Sequence, residues 1–238
     1  MFPPTRGLGR LRIYRPLDIS PAMSSPAAHT FSRPERTLTC RLLRATNLLF
    51  SRIYHNAQIL TPQILPHHGA GILVSNHISG LDPLLIQSTC SRLIIWMMAR
   101  EYYELPILNP IFRAISAIPV DRSGRDMPAM RSALRALESG RILGIFPEGK
   151  IETERELLPF QTGVALMASR AGVPIYPAYL DGIKRNLSMK EAYILRQSAT
   201  LAFGPPIMLP GRPDLELATN QIQQSVEKLR KLVLTRNP

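Results

Sequence analysis

The chain has few cysteines and histidines, which limits the metal and disulfide chemistry open to it. Its two cysteines, Cys40 and Cys90, form no CxxC motif, so neither a disulfide framework nor a cysteine zinc site is expected. His67 and His68 are adjacent, but no carboxylate or cysteine stands nearby at ligand spacing. We therefore expect no metal, and the cysteine usage favours a reducing compartment.

Long apolar runs are also missing. A bilayer-spanning helix needs about 20 apolar residues, and every long apolar stretch here is interrupted by Arg, Asn or Pro. The N-terminal segment lacks the apolar core of a secretory signal peptide. It is rich in Pro, Arg and Ser without periodicity, so we expect residues 1–35 to form a disordered arm.

Acidic and aromatic residues are scarce as well. The chain has 17 acidic residues and 29 lysines and arginines, and the resulting net charge of +12 indicates an anionic partner. Aromatic residues make up only 6%, and there is no RNP-like strand, zinc-finger spacing or evident helix-turn-helix. We therefore expect no nucleic-acid partner, which leaves an anionic membrane surface or phosphorylated substrates.

Short apolar runs alternate with helical patterns along most of the chain. The predicted strands lie within residues 71–75, 92–99, 142–147, 173–180 and 199–203, and the predicted helices within 128–140, 162–172 and 214–236. This alternation predicts an α/β fold with one domain, residues 57–210, whose mainly parallel sheet is flanked by helices. Residues 211–238 are assigned to a C-terminal amphipathic helix.

An amphipathic helix is also predicted near the N-terminus, over residues 36–56. Its apolar residues recur at helical spacing: Leu38, Leu42, Ala45, Leu49 and Ile53. Arg36, Arg41, Arg44 and Arg52 interrupt this stripe. Two interpretations remain open, and both can hold at different ends of the helix: it covers the core, or it lies in a membrane interface with its arginines on lipid phosphates.

The segment "SNHISGLDP" follows a predicted buried strand and carries two titratable side chains, His77 and Asp82. A neutral imidazole takes a proton from a hydroxyl more effectively when a carboxylate orients it. Gly80 allows the sharp turn that this pairing needs, with Asn76 and Ser79 as supporting polar residues. The alternative is structural, because an aspartate followed by proline is also a good helix N-cap.

Three further segments follow predicted strands or contain them: "IPVDR" (118–122), "FPEG" (146–149) and "VPIYPA" (173–178). Arg122 offers a forked donor for a phosphate. Glu148 places a charged side chain at the end of a predicted strand, Gly149 helps to fix a turn, and Lys150 can bind a phosphate. A surface loop would explain each segment alone, whereas the order and spacing of all four are specific.

With "NHISGLD" (76–82), these segments resemble the four ordered blocks of the glycerolipid acyltransferase family. Its best-known members are 1-acyl-sn-glycerol-3-phosphate acyltransferases. The resemblance covers roughly residues 50–185 and implies the fold of that family. It further implies a peripheral or monotopic enzyme on the cytoplasmic face of a membrane.

The resemblance implies that His77 is the general base on the hydroxyl of a lysophospholipid and that Asp82 orients it. The acyl donor is acyl-CoA or acyl carrier protein as a co-substrate, and no cofactor is needed. Arg122, Glu148, Gly149 and Lys150 are expected to hold the glycerol phosphate, and the anionic membrane accounts for the excess positive charge.

The third block departs from the family pattern. The family usually continues with Thr, Arg and Ser after its glycine, whereas this chain has Lys150, Ile151 and Glu152. The departure leaves open other acceptors, namely another lysolipid or glycerol 3-phosphate. A protein that binds membranes without catalysing transfer is the alternative of a different class.

Overall fold

The computed structural model describes residues 37–121, 126–187 and 189–236. The expected arm, residues 1–35, and Arg122 lie outside these ranges. The helices are α1 Leu38–Leu49, α2 Asp82–Thr89, α3 Arg100–Tyr103, α4 Asn109–Ala114, α5 Met127–Glu138, α6 Gly163–Ala171, α7 Met189–Ile194 and α8 Leu215–Arg236. A π-helical turn, Phe50–Tyr54, continues α1. The strands are β1 Gln58–Ile59, β2 Gly71–Val74, β3 Ile94–Ala99, β4 Ile118–Val120, β5 Ile142–Ile145, β6 Ile175–Asp181 and β7 Thr200–Phe203.

Within the described residues these strands form one sheet, in the order β1-β7-β6-β2-β5-β3-β4. Strands β2 to β6 run parallel to one another. β7 is antiparallel to β6, and β1 is parallel to β7. The prediction of an α/β fold with a mainly parallel sheet is confirmed.

Helices pack on both faces of the sheet. On one face, the apolar spacing of α8 predicts a buried stripe, and five of its six residues are buried: Ala218, Ile222, Val226, Leu229 and Val233. The sixth, Leu215, is half-buried. On the same face, helical spacing within α5 predicts a core stripe of Met130, Leu134 and Leu137. The helix buries Ala129, Ala133, Ala136 and Leu137, whereas Met130 and Leu134 are only half-buried. The stripe was assigned to the larger residues, but the alanine side is the one that faces the sheet.

The N-terminal helix α1 has the reverse of the usual amphipathic arrangement. Its predicted apolar stripe points outward, since Leu38, Leu42, Leu49 and Ile53 are 68%, 59%, 61% and 65% exposed. Two polar side chains bind the helix and its π-helical turn to α2: Asn47 Nδ2 and Ser51 Oγ both donate to the carbonyl of Leu84, at 3.0 and 3.3 Å. This stripe therefore does not cover the core, although the helix itself packs on α2 and its Cys40 is fully buried.

In the described parts of the chain, no helix combines the length and the apolar character needed to cross a bilayer.

Candidate active site

The candidate site lies at the carboxyl edge of the parallel strands, where ligands collect in open α/β sheets. β2 is flanked by β5 and β6. His77 follows β2, and Glu148 follows β5. The loops after these three strands therefore meet around His77.

His77 and Asp82 form the pair expected from the sequence. His77 Nδ1 lies 2.8 Å from Asp82 Oδ2, and the aspartate side chain is fully buried. Because a carboxylate accepts, we assign the proton to Nδ1, which leaves Nε2 as the acceptor. Nε2 has no hydrogen-bond partner among the described residues, and the histidine side chain is 12% exposed. The ring is thus oriented at one nitrogen and available at the other.

The carboxylate of Asp82 does not cap its helix. Leu81 occupies the N-cap of α2, and Asp82 is the first helical residue. Oδ2 instead accepts from the backbone N–H groups of Ile78 and Ser79, at 2.7 and 3.0 Å. The alternative that Asp82 serves as an N-cap is therefore wrong, because its side chain is turned back onto the histidine loop.

The supporting residues hold this loop to the sheet. Asn76 binds both backbone groups of Leu180 in β6: its Oδ1 accepts from the N–H and its Nδ2 donates to the carbonyl, each at 2.9 Å. Ser79 Oγ accepts from the N–H of Leu81 at 3.2 Å. Gly80 does not adopt a positive φ, so the expected need for glycine freedom at this turn is not observed.

An aromatic stack fixes the plane of the imidazole, and the sequence analysis missed it. The His77 ring stacks on Phe146 with centroids 4.1 Å apart, and Phe146 stacks on Trp96 at 4.9 Å. Trp96 is paired across the sheet with Gly144, where a Cβ would lie 2.5 Å from the indole. The signal available in the sequence was Gly144, because a glycine inside a predicted buried strand often marks a close approach by another group.

Glu148 supports the histidine loop from the neighbouring strand. Its Oε1 accepts from the N–H of His77 and its Oε2 from the N–H of Leu158, both at 3.1 Å. The side chain is buried, and this burial raises the pKa of the carboxyl to about 7 against the two hydrogen bonds, which lower it. The carboxylate is thus occupied by backbone donors, and its predicted contact with substrate remains a prediction.

We expect Glu148 to make folding pH-dependent. Its pKa of about 7 lies above the ordinary 4.5, so the unfolded chain releases this proton first. The free energy of unfolding should therefore fall as the pH rises from about 4.5 to about 7 and then level off. Urea unfolding of the wild type and of Glu148→Gln at pH 5 and pH 8 tests this. Between pH 5 and pH 8 the wild type should lose stability relative to Glu148→Gln. An unchanged difference in the free energy of unfolding would refute the prediction.

The two residues that follow Glu148 differ in their surroundings. Gly149 has a φ of +71°, and a Cβ there would lie 2.3 Å from Gln161 Nε2. This turn is where a glycine is required. Lys150 is exposed to solvent.

A buried ion-pair cluster adjoins the histidine loop, and it too was missed. Nε and Nη2 of Arg185 both lie 2.8 Å from Glu152 Oε1, and Nη2 lies 3.1 Å from Asp181 Oδ1. Glu152 also donates its backbone N–H to the carbonyl of His77 at 2.7 Å. Asp181 is only four residues from Arg185, but Glu152 lies 33 residues before it. No local pattern could therefore predict the whole cluster.

Arg122 is the one predicted site residue whose position is not described. Within the described residues, no three His, Cys, Asp or Glu side chains gather as candidate metal ligands.

The comparisons with known proteins agree on one family. A family model described as Acyltransferase matches residues 56–181. The 1-acyl-sn-glycerol-3-phosphate acyltransferase of Bacillus subtilis is 23% identical over 179 residues, which are 72% of this chain and 87% of that protein. The N-acylphosphatidylethanolamine synthase of Arabidopsis thaliana is 33% identical over 162 residues, which are 62% of this chain and 56% of the plant protein. The chain spans about half the length of several curated relatives that it matches.

A solved structure shares the fold. The 1-acyl-sn-glycerophosphate (LPA) acyltransferase PlsC from Thermotoga maritima superimposes with a TM-score of 0.64 at 19% identity. The match covers 84% of this chain and 85% of that one. At this identity the likeness establishes the architecture alone.

Proposed function

Since the chain belongs to the Acyltransferase family, we propose that it moves a fatty acyl group from an acyl thioester to the free hydroxyl of 1-acyl-sn-glycerol 3-phosphate. The product is phosphatidic acid, a phospholipid precursor. The observation that carries this proposal is the His77–Asp82 pair at the carboxyl edge of the sheet, with Nε2 unpartnered among the described residues. The relative from Bacillus subtilis, named for this acceptor, supports the choice of lysophosphatidate.

The pair suits a direct transfer without a covalent enzyme intermediate. His77 Nε2 takes the proton of the acceptor hydroxyl while its oxygen attacks the thioester carbonyl. The carbon–sulfur bond then breaks, and the imidazolium returns the proton to the departing thiolate. Asp82 holds the proton on Nδ1 and stabilises the positive ring between these two steps. The donor is acyl-CoA or acyl-acyl carrier protein, and the reaction needs no cofactor.

The acceptor's phosphate is assigned first to Arg122, assisted by Lys150 and the turn at Gly149. Lys150 is exposed and acts as a point charge, in contrast with the bidentate fork of an arginine. The role proposed for Glu148 here is to brace this turn through its two backbone hydrogen bonds.

A second candidate acceptor is the amine of a phosphatidylethanolamine headgroup. It is favoured by the relative at 33% identity, which is named for that N-acylation. It is also compatible with Lys150, Ile151 and Glu152 in the third block, where the usual arginine is missing. The same general base would deprotonate nitrogen instead of oxygen.

An acceptor panel tests the proposal. The purified protein is given acyl-CoA or acyl-acyl carrier protein with lysophosphatidate, other lysophospholipids, glycerol 3-phosphate and phosphatidylethanolamine. Phosphatidic acid from lysophosphatidate is the expected main product. N-acylphosphatidylethanolamine as the main product would move the assignment to the second candidate, and no product with any pair would favour a membrane-binding protein without this chemistry.

We further propose that the protein is peripheral and meets its lipid substrate through α1 and the π-helical turn. The exposed stripe Leu38, Leu42, Leu49 and Ile53 supports this, because nothing in the described structure buries it. Arg41 and Arg52 are exposed beside it and complement anionic headgroups. Arg44, in contrast, donates to the carbonyl of Ser91 and is tied to the protein.

The double variant Arg41→Gln/Arg52→Gln is expected to bind anionic vesicles about thirtyfold more weakly, because each basic residue near such a surface is worth about 1 kcal/mol. Co-sedimentation with vesicles at several salt concentrations measures this. The matched control is Arg170→Gln/Arg212→Gln, which removes the same charge near the far, amino-terminal edge of the sheet. Equal binding by all three proteins would place the membrane contact elsewhere, with the exposed Ile107 as the next candidate.

A further inference from the structure

An open cavity of about 500 Å³ lies beside the histidine loop, outside the residues assigned to the proposed transfer. Its wall comes from the segment after Glu152 and the segment after β6. The lining includes Thr153, Glu154, Arg155, Gly182, Lys184 and Arg185. Of the seven lining residues, three are cations and one, Glu154, is an anion, so the cavity favours a negatively charged ligand.

The wall at Arg185 is rigidly built. Its guanidinium is held by Glu152 and Asp181, whose side chains are 3% and 5% exposed. These contacts use Nε and Nη2, and Nη1 has no partner among the described residues. A planar guanidinium fixed on one side presents its remaining N–H donors in a set direction, as oxyanion recognition requires.

The other segment that lines the cavity is held by the same glutamate. Oε2 of Glu152 accepts from the N–H groups of Glu154 and Arg155, each at 2.9 Å. This turn holds Arg155 at a φ of +60°, a conformation that non-glycine residues adopt at a cost. The surroundings thus maintain a strained backbone at a cation on the cavity wall.

Two of the cations are free to take a ligand. The side chains of Arg155 and Lys184 are exposed, and neither has an ion-pair partner in the described structure. Glu154 supplies one opposing charge at the rim, while the carboxylates of Glu152 and Asp181 are already engaged by Arg185 and by backbone donors.

The order of the strands places this cavity close to the chemistry. β6, which leads into Lys184 and Arg185, is the immediate neighbour of β2, which leads into His77. Neighbouring strands are about 4.8 Å apart. The peptide of His77 is itself bonded to the cavity loop, through the N–H of Glu152.

We propose that Arg155, Lys184 and Arg185 form a binding site for a phosphate group carried by one of the two substrates. The inference rests on the proposed acyl transfer and deepens it. The phosphate belongs either to the CoA or phosphopantetheine portion of the donor or to the glycerol phosphate of the acceptor. Both are phosphate esters, and the cavity presents the same forked and point-charge donors to either. The second case would move the acceptor's phosphate from Arg122 and Lys150, to which it is assigned above, to this cavity.

The test uses Arg155→Gln/Lys184→Gln, because these two side chains make no ion pair whose loss would disturb the fold. Arg185 is left intact, since removing it would strand two buried carboxylates. KM is measured separately for lysophosphatidate and for acyl-CoA. One of the two KM values should rise at least about tenfold, the usual effect of losing charge-assisted contacts, with a smaller change in kcat.

The matched control is again Arg170→Gln/Arg212→Gln, which leaves the cavity untouched. Calorimetric titration with glycerol 3-phosphate and with CoA provides a readout that needs no turnover, so a failure of the proposed reaction would not hide the result. If the KM for lysophosphatidate rises or the binding of glycerol 3-phosphate weakens, the site takes the phosphate of the lipid. If the KM for acyl-CoA rises or the binding of CoA weakens, the site takes the phosphate of CoA. If both KM values and both affinities match those of the control variant, the cavity is not a phosphate site.

Discussion

Replacing His77 with alanine is expected to lower acyl transfer by about 10²–10⁴-fold, the usual cost of losing a general base. The imidazole, which stacks on Phe146, supplies the proton acceptor Nε2, and alanine supplies no acceptor in its place. Rates are measured with acyl-CoA and lysophosphatidate at saturation, and thermal unfolding is followed in parallel.

His68→Ala is the matched control for this experiment, because His68 is exposed in a loop before β2. It should keep wild-type activity. A folded His77→Ala protein that turned over at nearly the rate of the control would remove His77 from the chemistry.

The Asp82 variants should separate orientation of the base from support of the loop. Asp82→Asn keeps an oxygen that can accept the N–H groups of Ile78 and Ser79, but it lacks the charge that stabilises the imidazolium. We expect it to lose at least about a hundredfold in kcat. Asp82→Ala also strands those two N–H groups, at about 1–3 kcal/mol each.

Activity and denaturant unfolding together test this. Both variants should be severely impaired, and Asp82→Ala should be clearly less stable than Asp82→Asn. If Asp82→Asn retained wild-type kcat, the aspartate would serve the loop alone. Equal stability of the two variants would mean that the backbone hydrogen bonds to Oδ2 contribute little.

The sequence was sufficient for the parts of the fold that depend on periodicity and composition. The buried strand before His77 and the stripe of α8 follow from apolar spacing. The parallel sheet follows from the alternation of strands and helices. The meeting of His77 with Asp82 follows from their separation on one short turn.

Contacts between distant segments could not be predicted in the same way. Arg185 is held by Glu152, 33 residues earlier, and the stack of His77, Phe146 and Trp96 joins three separate strand regions. Each depends on which strands become neighbours, and alternation alone does not fix that order. For this reason the cavity beside Arg185 was not foreseen.

The helix α1 shows a different limit. Periodicity locates an apolar stripe but does not say which surface it meets. The polar bonds of Asn47 and Ser51 to Leu84 decide the matter, since they turn the stripe outward. Local propensity alone left two roles open for Asp82, because an aspartate before proline also favours an N-cap. The tertiary structure decides between them, since the carboxylate turns to His77 and the backbone of its loop.

The most direct test of the central claim, a direct acyl transfer with His77 as the base, is a staged reaction of the purified protein. The protein is first incubated with acyl-CoA alone and its intact mass is recorded; lysophosphatidate is then added, and phosphatidic acid and free CoA are quantified. We predict an unmodified protein mass in the first stage, followed by equimolar phosphatidic acid and CoA that depend on His77. An acyl adduct on the protein, or equal product formation by the wild type and His77→Ala, would contradict the account.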